Sequence, residues 1–360
     1  MNKLRVAVVG ATGIAGQQAL SVLADHPWFE VVALAASART AGRPYGDAIR
    51  DASGARLWWC EQEPPTALLD VEVQDASKLE PDSVDLVFSL IESDAARELE
   101  PRFAAVVPVL SSAAAFRYEP DVPILVPGVN MASHFPFVER QRKQRGWKGF
   151  VLPQSNCTVV GLVISLKPVV DAFGLRTVLA TTMQGLSGAG RAGGVLALDM
   201  IDNLVPYIPH EEDKVAREAP KILGTLGDDA IAPHPVKVGA TCTRAAVVDG
   251  HTAAVTIQTE RPCDADEIAA VMREFAGDYG GMGLPSAPER PIVVHNDPFR
   301  PQPRLDRSLG GGMSTSVGRI RPEPAIDNGV KYVVLSHNTL MGAAKGLVLV
   351  AEYLREIDAL

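Results

Sequence analysis

The most reactive chemistry in this chain sits where Gln154-Ser155-Asn156-Cys157-Thr158 runs into the apolar stretch Val159-Val160-Gly161-Leu162-Val163-Ile164. A single cysteine among small polar residues, directly before a segment fit for a buried helix, places a thiol at the positive end of a helix dipole. A thiolate is favoured there and can act as a nucleophile. An isolated free cysteine is otherwise a small core residue. The start of the chain supplies the other half of a chemistry. Gly10-x-x-Gly13-x-x-Gly16 follows the strand-like run Arg5-Val6-Ala7-Val8-Val9 and leads into a helical pattern, a variant of the dinucleotide-binding loop in its proper context. Thiolate and nicotinamide together suit acylating aldehyde chemistry, with a thioester as the shared intermediate.

The elements that must position these groups can be read from the apolar pattern. Short continuous runs at 5–9, 31–35, 84–89 and 106–110 fit parallel strands buried on both faces, and the segments between them have helical character. This predicts an α/β, Rossmann-type doubly wound parallel sheet, whose ligands bind beyond the carboxyl ends of the strands. From about Gln154 the pattern changes. Val178–Met183 and Ala253–Ile257 have strand character among long loops rich in Gly and Pro, which predicts an α+β domain with a mixed or antiparallel sheet. The Pro-rich 290–307 stretch reads as a long excursion over a neighbouring surface, and Asn338 to Leu360 as helical. The expected domains are 1–153 plus 338–360 for the cofactor and 154–337 for catalysis, the latter also the dimerisation domain by the family resemblance given below.

In the glycine loop, Gly10, Thr12, Gly13 and Ile14 are the expected cofactor contacts. The first glycine permits the turn, and the next lets backbone N–H groups approach the pyrophosphate. The segment after the second strand reads Ala36-Ser37-Ala38-Arg39-Thr40 and carries no acid for the ribose hydroxyls. Ser37 and Arg39 suit a 2′-phosphate instead, which makes NADP the expected cofactor.

Taken together, these segments resemble the aspartate-β-semialdehyde dehydrogenase family over nearly the whole chain. The resemblance rests on Gly10-Ala11-Thr12-Gly13, Ser155-Asn156-Cys157-Thr158 and the glycine-rich stretch from Thr182 through Gln184 to Gly190. It continues through Asp202–Ile208 with Glu211 and Lys214, then Arg244 with Asp249-Gly250-His251-Thr252. The Pro206-Tyr207-Ile208 segment and the glycine-rich stretch are similar to the archaeal and fungal branch, whereas Phe116-Arg117 is similar to the common bacterial one.

The resemblance implies NADPH-dependent reduction of L-aspartyl-4-phosphate to L-aspartate-4-semialdehyde, a step of lysine, threonine and methionine biosynthesis. Cys157 would attack the acyl phosphate, and NADPH would reduce the resulting thioester. His251 would be the acid/base, taking the thiol proton and stabilising the thiolate as an imidazolium, and Gln184 would orient the substrate or assist the cysteine. Arg244 would grip the substrate carboxylate through its guanidinium fork, with Asn156 beside it. Glu211 would meet the substrate ammonium. Lys214, on the same helix face, and Arg117 would bind phosphate. Ser187, Gly188, Asn338 and Gly342 would border the cofactor.

Several positions depart from the family pattern. Ser112 stands where the family carries asparagine, Gly128 replaces an acid, Ala245-Ala246-Val247 replaces Val-Pro-Val, and Lys345 follows Gly342-Ala343-Ala344 in place of glycine. These departures spare the Cys/His pair and bear on the acyl donor. An acyl-CoA reductase, such as a malonyl-CoA reductase, on the same scaffold is therefore an alternative. Its substrate would have no amino group for Glu211 to pair, so Glu211 favours the amino-acid substrate. An N-acetylglutamyl phosphate reductase is a weaker alternative because its substrate amine is acylated. A catalytically silent NADP-binding protein is the alternative from another class, and the intact Cys157 and His251 weigh against it. Lys345 reads as a surface lysine.

Composition sets the outer limits. The 360 residues are 47% hydrophobic and 21% charged, ordinary globular values with room for two cores. A net charge of −9 argues against a nucleic-acid surface. The residues from Asn2 lead straight into a strand with no signal-peptide pattern, and no apolar run is long enough to span a bilayer, so a cytoplasmic protein with no membrane partner is expected. The four cysteines and seven histidines show no metal-ligand spacing, and no metal is expected. The partners that the family resemblance implies are a small-molecule substrate, acyl phosphate or acyl-CoA in the alternative, and further copies of the chain in a homodimer or homotetramer.

Overall fold

A computed structural model describes residues 2–189 and 197–360. The described chain divides into two compact units, 1–123 with 136–154 and 343–360, and 124–135 with 155–342. Residues 124–135 and 338–342, expected with the cofactor domain, thus cluster with the second unit.

The first unit is built on β1 (Leu4–Val9), β2 (Phe29–Ala36), β3 (Val73–Asp75), β4 (Leu86–Ser89), β5 (Val109–Ser111) and β6 (Val151–Pro153). They pair in parallel in the order β3-β2-β1-β4-β5-β6, with the polar loops beyond their carboxyl ends. Val6 to Val9 are all fully buried, as a central strand covered on both faces requires. The three-residue strands β3 and β6 escape the sequence pattern, and the fourth apolar run forms a strand only from Val109. The crossing from β1 to the helix Ile14–Leu23 depends on Gly10, whose φ of +88° is left-handed. A Cβ at that position would lie 2.3 Å from the Leu90 carbonyl oxygen.

The C-terminal helix runs from Ala344 to Glu356, shorter than the 338–360 read from sequence. It packs against the helix Ile14–Leu23 of this unit, and its wholly buried Glu352 pairs with His26 Nε2 at 2.8 Å, while His26 in turn stacks on Phe29 with ring centroids 4.7 Å apart. Lys345 is half-buried in this helix, in contrast to the surface lysine expected. Burial pulls its pKa down while the Glu352 carboxylate opposes that.

The second unit holds β7 (Leu175–Gln184), β8 (Leu204–Val205), β9 (Thr225–Leu226), β10 (Ile231–Ala232), β11 (Lys237–Ala245), β12 (His251–Thr259), β13 (Ile292–His295), β14 (Thr315–Pro322) and β15 (Gly329–Ser336). Apart from the β9-β10 hairpin they form a mixed sheet in the order β13-β14-β15-β12-β7-β11-β8. The 290–307 stretch is more ordered than an excursion. Ile292–His295 adds an edge strand parallel to β14, and Pro303–Asp306 makes a helical turn.

Alternation along β7 buries Val178, Ala180 and Thr182 and exposes Leu179 and Thr181. The helix Cys157–Phe173 contacts β7, β12, β14 and β15, and is apolar almost all round because it is enclosed. Gly128, at the position where the family pattern has an acid, has φ of +81°, a backbone that disfavours a side chain.

Candidate active site

Cys157 is the first residue of the helix Cys157–Phe173, and Asn156 is its N-cap. The Asn156 side-chain oxygen accepts the backbone N–H of Thr158 at 3.0 Å and of Val159 at 3.3 Å, which fixes the first turn. The half-buried thiol therefore lies at the positive end of a 17-residue helix, as the sequence predicts.

His251 opens β12, antiparallel to β7, and its Nε2 stands 3.3 Å from Cys157 Sγ. Its Nδ1 accepts the backbone N–H of Gly185 at 3.0 Å. Burial pushes the imidazole down to about 4, assisted by the Arg244 charge and opposed by Glu211, so the ring is neutral near pH 7.

Gln184 and Arg244 are partners in the parallel register of β7 and β11. The Gln184 amide donates to Thr182 Oγ1 at 3.3 Å, and Arg244 Nη1 donates to the Gly185 carbonyl at 2.8 Å. A Cβ on Gly188 would fall 3.0 Å from His251 and 3.1 Å from Arg244 Nη1, so this loop lies directly against both side chains. Asn338 donates to Ser187 Oγ at 2.8 Å and accepts the Gly250 N–H at 2.8 Å. Gly342 lies against the cysteine, since a Cβ built on it would fall 3.0 Å from Cys157 Cβ. Gly190, the last residue of the glycine-rich stretch, lies outside the described residues.

Glu211 and Lys214 stand on the helix Glu211–Ile222, 3.4 Å apart. This is more than an exposed intrahelical pair. Glu211 is buried, and its Oε1 accepts Asn156 Nδ2 at 2.9 Å and Thr158 Oγ1 at 3.2 Å. Burial acts to raise its pKa, yet Lys214, the Asn156 amide and His251 hold the carboxyl below its usual range. Cys157, His251, Arg244, Glu211, Asn156, Ser187, Gly188, Asn338 and Gly342 are thus linked around one helix terminus. Among the described residues no group of His, Cys, Asp and Glu could hold a metal ion.

In the first unit, Gly13 caps the helix Ile14–Leu23 with no side-chain bond, which leaves the first N–H groups open to an anion. Thr12 and Ile14 are half-buried beside it. Ser37 and Arg39 lie exposed just beyond the end of β2. Arg117 is buried, and its guanidinium donates to the carbonyls of Gln154 at 2.7 Å and Ser112 at 3.0 Å.

Sequence reasoning missed Gln17, Gly185 and Glu218. The Gln17 amide steadies the glycine loop through the Thr12 carbonyl at 3.0 Å. The Gly185 N–H sets the His251 ring. Glu218 continues the face of Glu211 and Lys214 at helical spacing, the one signal that could have found it.

A sheet of this order, with a capped cysteine helix and a histidine at the thiol, defines a dehydrogenase of the thiol-dependent aldehyde class. A family model for the semialdehyde dehydrogenase NAD-binding domain matches residues 5–135, and one for the semialdehyde dehydrogenase dimerisation domain matches residues 166–341. The aspartate-semialdehyde dehydrogenase of Methanothermobacter thermautotrophicus is 42% identical over 354 residues, covering 98% of this chain and 99% of its own. That of Aspergillus fumigatus is 42% identical over 359 residues, covering 97% and 96%. The crystal structure of the Candida albicans aspartate-semialdehyde dehydrogenase with NADP superimposes with a TM-score of 0.89 at 38% identity, over 100% of both chains. The chain belongs to the aspartate-semialdehyde dehydrogenase family.

Proposed function

We propose that this protein reduces L-aspartyl-4-phosphate to L-aspartate-4-semialdehyde with NADPH through a thioester on Cys157. The observation that carries the reading is the 3.3 Å approach of His251 Nε2 to a cysteine at a capped helix terminus. The Cys157 thiolate attacks the acyl carbon, phosphate departs with the electrons of its bond to that carbon, and a thioester remains. NADPH supplies hydride to the thioester carbon, and the aldehyde leaves as the thiolate returns. His251 holds the thiolate through Nε2 before attack and after release.

Arg244 takes the substrate α-carboxylate, and Glu211 its ammonium. Lys214 and Arg117 take the phosphate, and Gln184 and Asn156 fix the reacting group. The residues fit NADP. The bare helix start at Gly13, with Gly10, Thr12 and Ile14, suits the pyrophosphate, and the acid-free turn with Ser37 and Arg39 suits the 2′-phosphate. Ser187, Gly188, Asn338 and Gly342 supply further cofactor contacts.

The protein is a cytoplasmic homodimer or homotetramer in this reading. The open face of the mixed sheet supports self-association, because Leu179 is 49% exposed amid small residues such as Thr181 and Ala254.

The test is phosphate-dependent reduction of NADP⁺ by L-aspartate-4-semialdehyde, set beside NADPH oxidation by malonyl-CoA. Turnover in the first assay alone supports the reading. Turnover in the second alone would make the protein an acyl-CoA reductase.

A further inference from the structure

We propose that Glu218 is a positioning residue for Cys157, its buried carboxylate fixing the turn from which the cysteine's helix starts. The side chain is fully buried on the helix Glu211–Ile222, seven residues after Glu211 and on the same face. Its Oε2 accepts the Asn156 backbone N–H at 2.7 Å and the Ser155 hydroxyl at 2.8 Å. Both donors immediately precede the cysteine.

Asn156 is held from every side. Its N–H goes to Glu218, its Oδ1 takes two N–H groups of the first helical turn, and its Nδ2 donates to Glu211. The peptide that carries Cys157 is therefore clamped between two carboxylates of one helix. Burying a carboxylate is costly unless hydrogen bonds compensate, and here two of its bonds fall on the residues that aim the thiol. An apolar side chain would fill the space but would leave the Asn156 N–H without its acceptor.

The proposal rests on Cys157 being the nucleophile, so its test reads the thiol directly as well as turnover. In the full-length protein, alkylation of Cys157 by iodoacetamide is followed against pH, with kcat and KM, for wild type, Glu218→Ala, Glu218→Gln and Cys157→Ala. Glu218→Ala is expected to shift the alkylation profile to higher pH and to lower kcat on the order of 10²-fold, the effect of a displacement near 1 Å, with the KM for NADPH unchanged. Glu218→Gln, which keeps an acceptor for the Asn156 N–H, is expected to stay within about threefold of wild type.

A folded Glu218→Ala protein with the wild-type profile and kcat would overturn the proposal. Should that variant fail to fold, Ser155→Ala removes one of the two donors. A smaller shift in the same direction supports the proposal, and an unchanged profile overturns it. Turnover surviving in Cys157→Ala would remove the nucleophile itself, a failure distinct from an unmoved alkylation profile.

Discussion

Cys157 Sγ and His251 Nε2 lie 3.3 Å apart while the other nitrogen of the same ring accepts the Gly185 N–H at 3.0 Å. A nitrogen that accepts carries no proton, so the neutral imidazole turns its N–H toward the sulfur. His251 thus meets Cys157 as a donor that favours the thiolate. Burial, which pushes the ring down to about 4, disfavours the imidazolium expected from sequence. ¹⁵N spectra of labelled protein near pH 7 should place the His251 proton on Nε2. A proton on Nδ1 would contradict this arrangement.

Removing the ring should then cost the thiolate its donor. We expect His251→Ala to lower kcat/KM by about 10²–10³-fold, the usual cost of removing a hydrogen-bond donor from a reacting anion, and to move alkylation of Cys157 to higher pH. Alkylation indistinguishable from wild type would show that the 3.3 Å contact has no chemical consequence.

Arg39 should report cofactor choice. A guanidinium bonded to a phosphate contributes roughly 1.5–3 kcal/mol, so Arg39→Ala should raise the KM for NADPH by about 10–100-fold and leave that for NADH nearly unchanged. Equal effects on both cofactors would place Arg39 away from the 2′-phosphate.

Glu100 offers a stability prediction away from the chemistry. Its Oε1 accepts Ser89 Oγ at 2.7 Å, with Ser111 Oγ at 2.5 Å, while Oε2 is buried without a hydrogen bond. Burial pushes the carboxyl up to about 7 despite both serines. The unfolded chain ionises this group at lower pH than the folded one. Folding therefore suffers no penalty below the unfolded pKa, a growing one as pH rises to about 7, and a constant one above. Glu100→Gln should stabilise the fold at pH 8 by on the order of 1 kcal/mol, read as a higher urea midpoint, and change it little at pH 4. An equal effect at both pH values would contradict the shift.

The parts of this molecule that were legible in sequence are those whose signal is local. The polar turn before an apolar run located Cys157 at a helix start, and Gly10 and Gly13 after an apolar strand located the turn from β1 into the helix Ile14–Leu23. Three-residue strands such as β6, and β13 between prolines, are too short to show a period, and they form because neighbouring strands offer partners. Asn338 reads as the start of a helix, but its side chain is engaged by Ser187 and Gly250, and the helix begins only at Ala344. Glu218 reads as one more charge on an amphipathic helix, because Asn156, whose N–H it accepts, is 62 residues away.

The most direct measurement is mass spectrometry of the Cys157 peptide after the enzyme is mixed with L-aspartate-4-semialdehyde and NADP⁺ without phosphate and quenched in acid. An aspartyl thioester is expected on Cys157, and it should disappear when phosphate is added before the quench. Turnover with an unmodified Cys157, or an adduct on another residue, would contradict it.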